Sequence, residues 1–445
     1  MFVLTLYSCS INDFEPINTE SRETDTNKTE LENSDNVTQT EINNILASFN
    51  DSTDILHRSI INSIDNIRDA DGNVAAYVVN FGYNQGFVII SATKRYCPVI
   101  AYSHSGTFEI NGNMPDGLKE WESSVISAIE ISKTLPDDSV MLYRRMWKKY
   151  ENPMLPKSSL SRTSSDDLLT TAQAIMADSL MAWHQQGYSY REVDEEDLAL
   201  VEGAIYPLFL DYDPQWKQYA CVVEKTNTHI ENIPNFLSTT WAQTNGYNMS
   251  FPILSDGKRA SAGCGPVAAG QIMWYHRFPS FFNWDAMPSN FSSQITSDFL
   301  YAIAQNVNAE YKEDGTATKI NDMGNLFRSW GYNVSLVYHT SSAAWSSLQD
   351  YNPVYMRGTS GKGHAWVASG GNYRMDDSRT LIYTFTSPTT FESVDEKSCS
   401  LSYIYYFYMN WGWGGSYNGY YLDDTLSNPQ NSQLWTDRKD LIIKR

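Results

Sequence analysis

AGCGPVAAGQIMWYH, residues 262–276, is the stretch on which both fold and chemistry turn. Gly263 and Gly265 flank Cys264 and leave its backbone open to close approach. Pro266 is favoured in the first turn of a helix, so a helix is expected to begin at about the cysteine. A thiol there meets unpaired N–H groups and the positive end of the helix dipole, and both favour thiolate. The same amides can hold an oxyanion. The plainer role for a lone cysteine is that of a small buried apolar residue.

A thiolate nucleophile needs a base. His276 lies twelve residues along the same helix, roughly 18 Å away at 1.5 Å per residue, too far for a hydrogen bond. His364 is the better candidate, because GTSGKGHAWVASGG (358–371) sets it at the start of a strand behind a Gly-rich loop. His57, His104, His184, His229 and His339 have no such context and read as surface or core histidines. In NWGWGGSYNGYYLDD (410–424), Asn410 closes a strand and Trp411 and Trp413 stand among glycines. An Asn carbonyl can orient a His ring, and an indole can shield that bond; a Gly/Trp turn that only packs is the alternative. In WAQTNGYN (241–248), Gln243 can donate its amide to an oxyanion.

Outward from these words the chain divides. Residues 1–230 carry a net charge of −17 and residues 231–445 only −3, out of −20 for all 445. So acidic a chain has little with which to neutralise phosphates, which argues against a nucleic-acid partner. Five cysteines without a CxxC pair point away from a zinc site or a disulfide framework, and no cofactor is expected. VAAYVVNF (74–81), GYNQG and FVIISA (87–92) predict a β-hairpin, with PVIAYS (98–103) as a third strand. Leu118, Trp121, Val125, Ile126 and Ile129 predict an amphipathic helix over 116–132. NPMLPKSSLSRTSSDD (152–167) reads as an exposed linker, with a helix at 168–187. Beyond Cys264, helical patterns near 297–309, 320–330 and 343–350 precede strand-like runs at 353–357, 364–369, 380–385, 403–410 and 419–422. Helices first and an antiparallel sheet second indicate an α+β domain.

At the amino terminus, MFVLTLYS runs into Cys9, and Leu6-Tyr7-Ser8-Cys9 looks like the lipobox of a bacterial lipoprotein. Cys9 is then the expected acylation site and the one route to a membrane. The polar residues 10–43 read as a flexible tether.

The order of cysteine, histidine about a hundred residues later and an Asn/Trp-Gly turn resembles papain-like peptidases. The local words are closer to the streptopain family of bacterial cysteine peptidases: Gly263-Cys264, Gly270-Gln271-Ile272-Met273, Tyr275-His276, Pro279, NWDAMP (283–288), the HAWV strand and NWGWGG. YVVNF and GFVIISA resemble that family's inhibitory propeptide. The resemblance implies a papain-like peptidase domain behind a small α+β propeptide domain, secreted or surface-anchored as a zymogen and acting on protein or peptide substrates. The expected division is signal remnant 1–9, tether 10–43, propeptide 44–135, linker and helical segment with the activation site 136–235, and peptidase 236–445. The catalytic pair is Cys264 and His364, the oxyanion donors are the Cys264 amide and Gln243, and Asn410, Trp411 and Trp413 support them. The stretch 135–235 is longer than the resemblance leads one to expect, and Gly265-Pro266 departs from the form associated with streptopain. Two other readings remain: a different thiol acyl-transfer enzyme, such as a transglutaminase or cell-wall amidase, and an inactive peptidase-fold surface lipoprotein acting in binding or inhibition.

Overall fold

The computed structural model describes residues 35–50, 60–82, 84–110, 114, 116–151, 181–182, 185–186, 188–192, 219–313, 315–359, 363–387, 390–423 and 438–445. Cys9, the linker at 152–167 and most of the helix expected at 168–187 lie outside them.

Helix α1 (Gln39–Asn50) begins where the tether was expected to continue. Its start is a capping box: the Thr38 amide and hydroxyl donate to Glu41 at 2.7 and 2.9 Å, and the Glu41 amide donates back to Thr38 Oγ1 at 3.3 Å. Ile42, Ile45 and Leu46 then share one buried face. Residues 39–43 are therefore helical, because a cap and an apolar stripe outweigh polar composition.

The hairpin and third strand are present as β2 (Val74–Phe81), β3 (Phe87–Ser91) and β4 (Val99–Ser103), preceded by the edge strand β1 (Ile61–Arg68). Strands β2, β3 and β4 are buried on both faces, which is why they read as continuous apolar runs. Ala76, Val78, Phe87 and Ile89 enter one core, while Val79, Phe81, Val88 and Ile90 enter another with α1. The expected helix is α2 (Asp116–Thr134), and α3 (Asp137–Glu151) follows it, tied down by Trp147 Nε1 donating to Tyr96 O at 2.8 Å.

The second half continues this sheet. After β5 (Ser189–Glu192) and β6 (Tyr219–Ile233) come α4 (Cys264–His276), α5 (Gln294–Asn306), β7 (Glu310–Lys312), β8 (Gly315–Ala317), α6 (Ile320–Ser329), β9 (Asn333–Tyr338) and α7 (Ser341–Gln349). Strands β10 (Val354–Thr359), β11 (Gly363–Ser387), β12 (Thr390–Asn410), β13 (Gly419–Asp423) and β14 (Lys439–Lys444) complete it. Among the described residues the order is β1-β2-β3-β4-β13-β12-β11-β10-β14-β9, with β6 on β11 and β5 on β6. The α+β class holds, and the expected helices agree with α5, α6 and α7 to within a few residues.

Two expectations change. The runs at 364–369 and 380–385 are one strand, β11, paired with β12 on one side and with β10 and then β6 on the other. Residues 219–233, expected as linker, are the strand β6, paired with β11 from Tyr219↔Phe385 to Ile233↔Gly371. A polar run such as Lys225–Asn232 carries little apolar signal, so backbone pairing to a long neighbour decides its state.

The halves are joined by sheet and core. Tyr102 and Ala101 of β4 pair with Tyr420 and Tyr421 of β13. Trp121 of α2 stands edge-on to Tyr421 at 4.9 Å, and Phe108 edge-on to Tyr417 at 5.3 Å. Alternation along β11 divides the second half: Trp366 and Ala368 face the core shared with α2, while Ala365 and Val367 face the core around α4.

Candidate active site

Helix α4 opens at Cys264, with Gly263 at its N-cap (φ 85°, ψ 148°) and no side-chain cap on its first amides. That φ suits glycine, and an added Cβ would stand 2.9 Å from Thr316 O. The helix is buried from Gly265 to Met273, which makes it a central strut with Cys264 at its N-terminus. Burial alone would push the Cys264 thiol up. The His364 charge, a hydrogen bond with His364 and the Ala365 and Gly265 backbone groups outweigh it, so the thiol titrates below its usual value.

His364 lies opposite Gly358 near the start of β11 and is 6% exposed. Burial alone would lower its pKa, but Cys264, the Trp411 backbone and Glu120 raise it above the ordinary value. The two shifts are reciprocal: each partner stabilises the charged form of the other, which favours a thiolate–imidazolium pair. The Trp366 and Trp411 rings stand beside it, each 6.1 Å away at 15° and 29°, and 5.3 Å from one another.

Asn410 closes β12 as expected, but its side-chain bonds run elsewhere than to the imidazole. Its Nδ2 donates to Thr239 O at 2.7 Å and Gln271 Oε1 at 3.1 Å, and its Oδ1 accepts from Gly412 N at 3.1 Å and Gln271 Nε2 at 3.3 Å. The amide is spent on Gln271 and its own turn rather than on the imidazole, because a fully buried Gln on α4 faces it. The His364 Nε2 atom has no hydrogen-bond partner among the described residues. The Trp411 ring lies near-parallel to the imidazole at 6.1 Å. Trp413 instead bridges Ala242, and Gly414 N donates to Trp241 O at 3.1 Å, which lays this turn along the segment carrying Gln243. Ala262 N donates to Gln243 O at 2.7 Å, so Gln243 is held beside the residues that lead into Cys264.

The sequence reading missed Gly117, in the first turn of α2. A Cβ there would stand 2.1 Å from Cγ and 2.2 Å from Cδ2 of His364. The helix backbone therefore rests on the imidazole, and only glycine permits the approach. From there α2 lays Trp121, Val125 and Ala128 over Trp366, Met409, Trp411 and Tyr421, with a cavity of about 50 Å³ left between them. No periodicity marks a glycine, so this contact had no local signal.

The remaining histidines have other surroundings. His104 and His229 are exposed, and burial beside Arg445 lowers His276 to about 4. His339 is buried between Asp440 (2.7 Å) and Asp423 (2.9 Å), with Arg438 on Asp423 at 2.7 Å. His57 and His184 lie outside the described residues.

Family models match both halves: one for the Spi protease inhibitor over residues 27–129, and one for the peptidase C10 family over 241–348 and 280–421. The thiol protease/hemagglutinin PrtT of Porphyromonas gingivalis is 23% identical over 397 residues, which cover 79% of this chain and 34% of that protein. Streptopain of Streptococcus pyogenes is 22% identical over 371 residues, 80% of this chain and 75% of its own length. The chain thus spans about a third of the first relative and three quarters of the second. Among solved structures, a fragment of Prevotella intermedia prointerpain A aligns over 86% of this chain and 98% of its own, with a TM-score of 0.45 and 15% identity. Residues 27–129 thus match the Spi protease inhibitor family and residues 241–421 the peptidase C10 family, an inhibitor-type region ahead of a peptidase-type region that agrees with the resemblance to the streptopain family.

Proposed function

We propose that this protein is a cysteine endopeptidase made as a zymogen, with Cys264 as nucleophile and His364 as its acid–base partner. The observation that carries the reading is the meeting of the Cys264 thiol, at the head of α4, with the His364 ring near the start of β11, a contact that favours thiolate and imidazolium together. The thiolate attacks a peptide carbonyl carbon. The resulting oxyanion accepts hydrogen bonds from the Cys264 amide and the Gln243 side chain, and the tetrahedral centre collapses as His364⁺ gives its proton to the leaving amine nitrogen. Neutral His364 then takes a proton from water as its oxygen attacks the thioester. Release of the acid restores the thiolate and the imidazolium.

While α2 rests on His364 through Gly117, a leaving amine has no path to the ring. Each large apolar side chain buried by α2 contributes about 1.5–3 kcal/mol, so the stripe Leu118, Trp121, Val125 and Ile129 holds the cover firmly. The full pairing of β6 with β11 supports a mature enzyme that begins at or before Tyr219. Asn235 accepts from Ser369 Oγ at 2.7 Å, and the Phe236 and Thr240 amides donate to Ser369 O and Ser289 O, so these residues are also bonded into the peptidase part.

The test is casein and peptide hydrolysis by the wild-type protein before and after processing, with N-terminal sequencing of the product. Hydrolysis that needs processing and is absent in Cys264→Ala is expected. Release of ammonia or peptidoglycan fragments with casein intact would favour a different acyl-transfer enzyme, and a thiol inert to iodoacetamide after processing would favour the binding protein. Export and lipidation belong to the same reading, resting on the Leu6-Tyr7-Ser8-Cys9 motif. Labelled palmitate should enter the wild type and not Cys9→Ala.

A further inference from the structure

We infer that Gln271 is a positioning residue of the active site, whose buried amide locks the Trp411 turn and the Gln243 segment onto the nucleophile helix. It lies seven residues beyond Cys264 on α4, roughly 10 Å along the axis at 1.5 Å per residue, so it touches no reacting atom. It is fully buried, and a buried amide must find partners for both its ends. Its Oε1 accepts from Trp241 N at 3.3 Å and from Asn410 Nδ2 at 3.1 Å, while its Nε2 donates to Asn410 Oδ1 at 3.3 Å.

Three chain segments meet at this one side chain, and each carries a working part. Helix α4 carries Cys264. The segment from Thr239 to Trp241, which Asn410 and Gln271 both hold, leads within two residues to Gln243. The turn from Asn410 to Gly412, closed by Gly412 N on Asn410 Oδ1, carries Trp411, whose ring stacks on His364 and whose backbone raises its pKa. Asn410 therefore acts on the imidazole through Gln271 and the turn rather than by direct contact. The pair is reciprocal, amide to amide, so neither side chain can rotate without stranding the other.

The inference rests on the peptidase reading above, and its test separates the two. The processed wild type, Gln271→Met and Gln271→Glu are compared for kcat, KM, thermal midpoint and the pH profile of Cys264 alkylation by iodoacetamide. Alkylation reads the thiol–imidazole pair whether or not peptides are cleaved. Met matches the volume but not the bonds: kcat should fall about 10- to 100-fold with KM within about twofold, the cost of a misplaced constellation. The acid limb of its alkylation profile should move to higher pH. In Gln271→Glu a protonated carboxyl can still donate to Asn410 Oδ1, so kcat should approach wild type at low pH. It should fall as the buried acid ionises, an added titration that wild type lacks. A lowered thermal midpoint in Gln271→Met with kcat and alkylation unchanged would overturn the inference. Should Gln271→Met fail to fold, absence of the added titration in Gln271→Glu would do the same.

Discussion

Cys264 takes much of its environment from neighbours in sequence: Gly263 at the cap, Gly265 as an amide partner and the helix that starts with it. His364 takes its environment from segments far along the chain, namely Gly117 and Glu120 from α2, Trp411 from the turn after β12, and Cys264 itself. A nucleophile of the first kind stays intact when the propeptide leaves. In the proposed zymogen an imidazole of the second kind changes surroundings at that moment, so regulation would act through that half of the pair.

The largest effect should come from cutting the pair itself. In processed enzyme, Cys264→Ala and His364→Ala are each expected to lower kcat by roughly 10⁴- to 10⁶-fold, and the double variant little further, since the two act as a unit. A His364→Ala enzyme retaining a tenth of wild-type turnover would break the comparison.

Next is the buried charge cluster that ties β9, β13 and β14 together behind the imidazole face. His339→Ala leaves Asp440 without its cation and Asp423 with Arg438 alone, and should cost about 3–5 kcal/mol, read as a shift of the urea midpoint. The sign with pH follows from the shifts. Burial and Arg438 lower His339, but the two aspartates win and its folded pKa is raised above 6.5, so its stabilisation is full below that value and lost as pH rises through the raised one. Burial would raise Asp423, but Arg438 and His339 depress it below 3.8, so its share is full above that value and lost in acid. The difference between wild type and His339→Ala should therefore be greatest between pH 3.8 and 6.5 and shrink above.

Gly117→Leu should sharpen the regulatory half. Its Cβ cannot occupy the imidazole's place, and the overpacking costs about 1–3 kcal/mol. The hold of α2 should loosen by roughly 5- to 150-fold, seen as hydrolysis by unprocessed protein. The smallest effect is the pH profile of processed wild type. Acylation should fall as acid protonates the lowered thiol, and fall again as base deprotonates the raised imidazole. On loss of Glu120 with the propeptide, the alkaline limb should move to lower pH.

Legibility followed the same division. Elements with a strong local period, the β2–β3 hairpin, α2, α4 and the helices after it, stand where their patterns put them. The edge strand β1 is half exposed, and β6 owes its state to pairing with β11, so neither showed a clean pattern. Asn410 shows the limit most clearly. Its position after a strand and before Trp411 was visible, but which way its amide turned depended on Gln271, 139 residues earlier.

What the sequence determined by itself was the chemistry available: a thiol at a helix start, an imidazole on a strand, and two apolar patterns able to make separate cores. Such features depend on residues within a few turns or a few strand repeats, where backbone geometry fixes the spacing. Only the tertiary structure decided who faces whom: the glycine against the imidazole, the glutamine against the asparagine, and the linker strand within the peptidase sheet. Those contacts join residues far apart in the chain, and nothing short of packing the whole can set a distance between them.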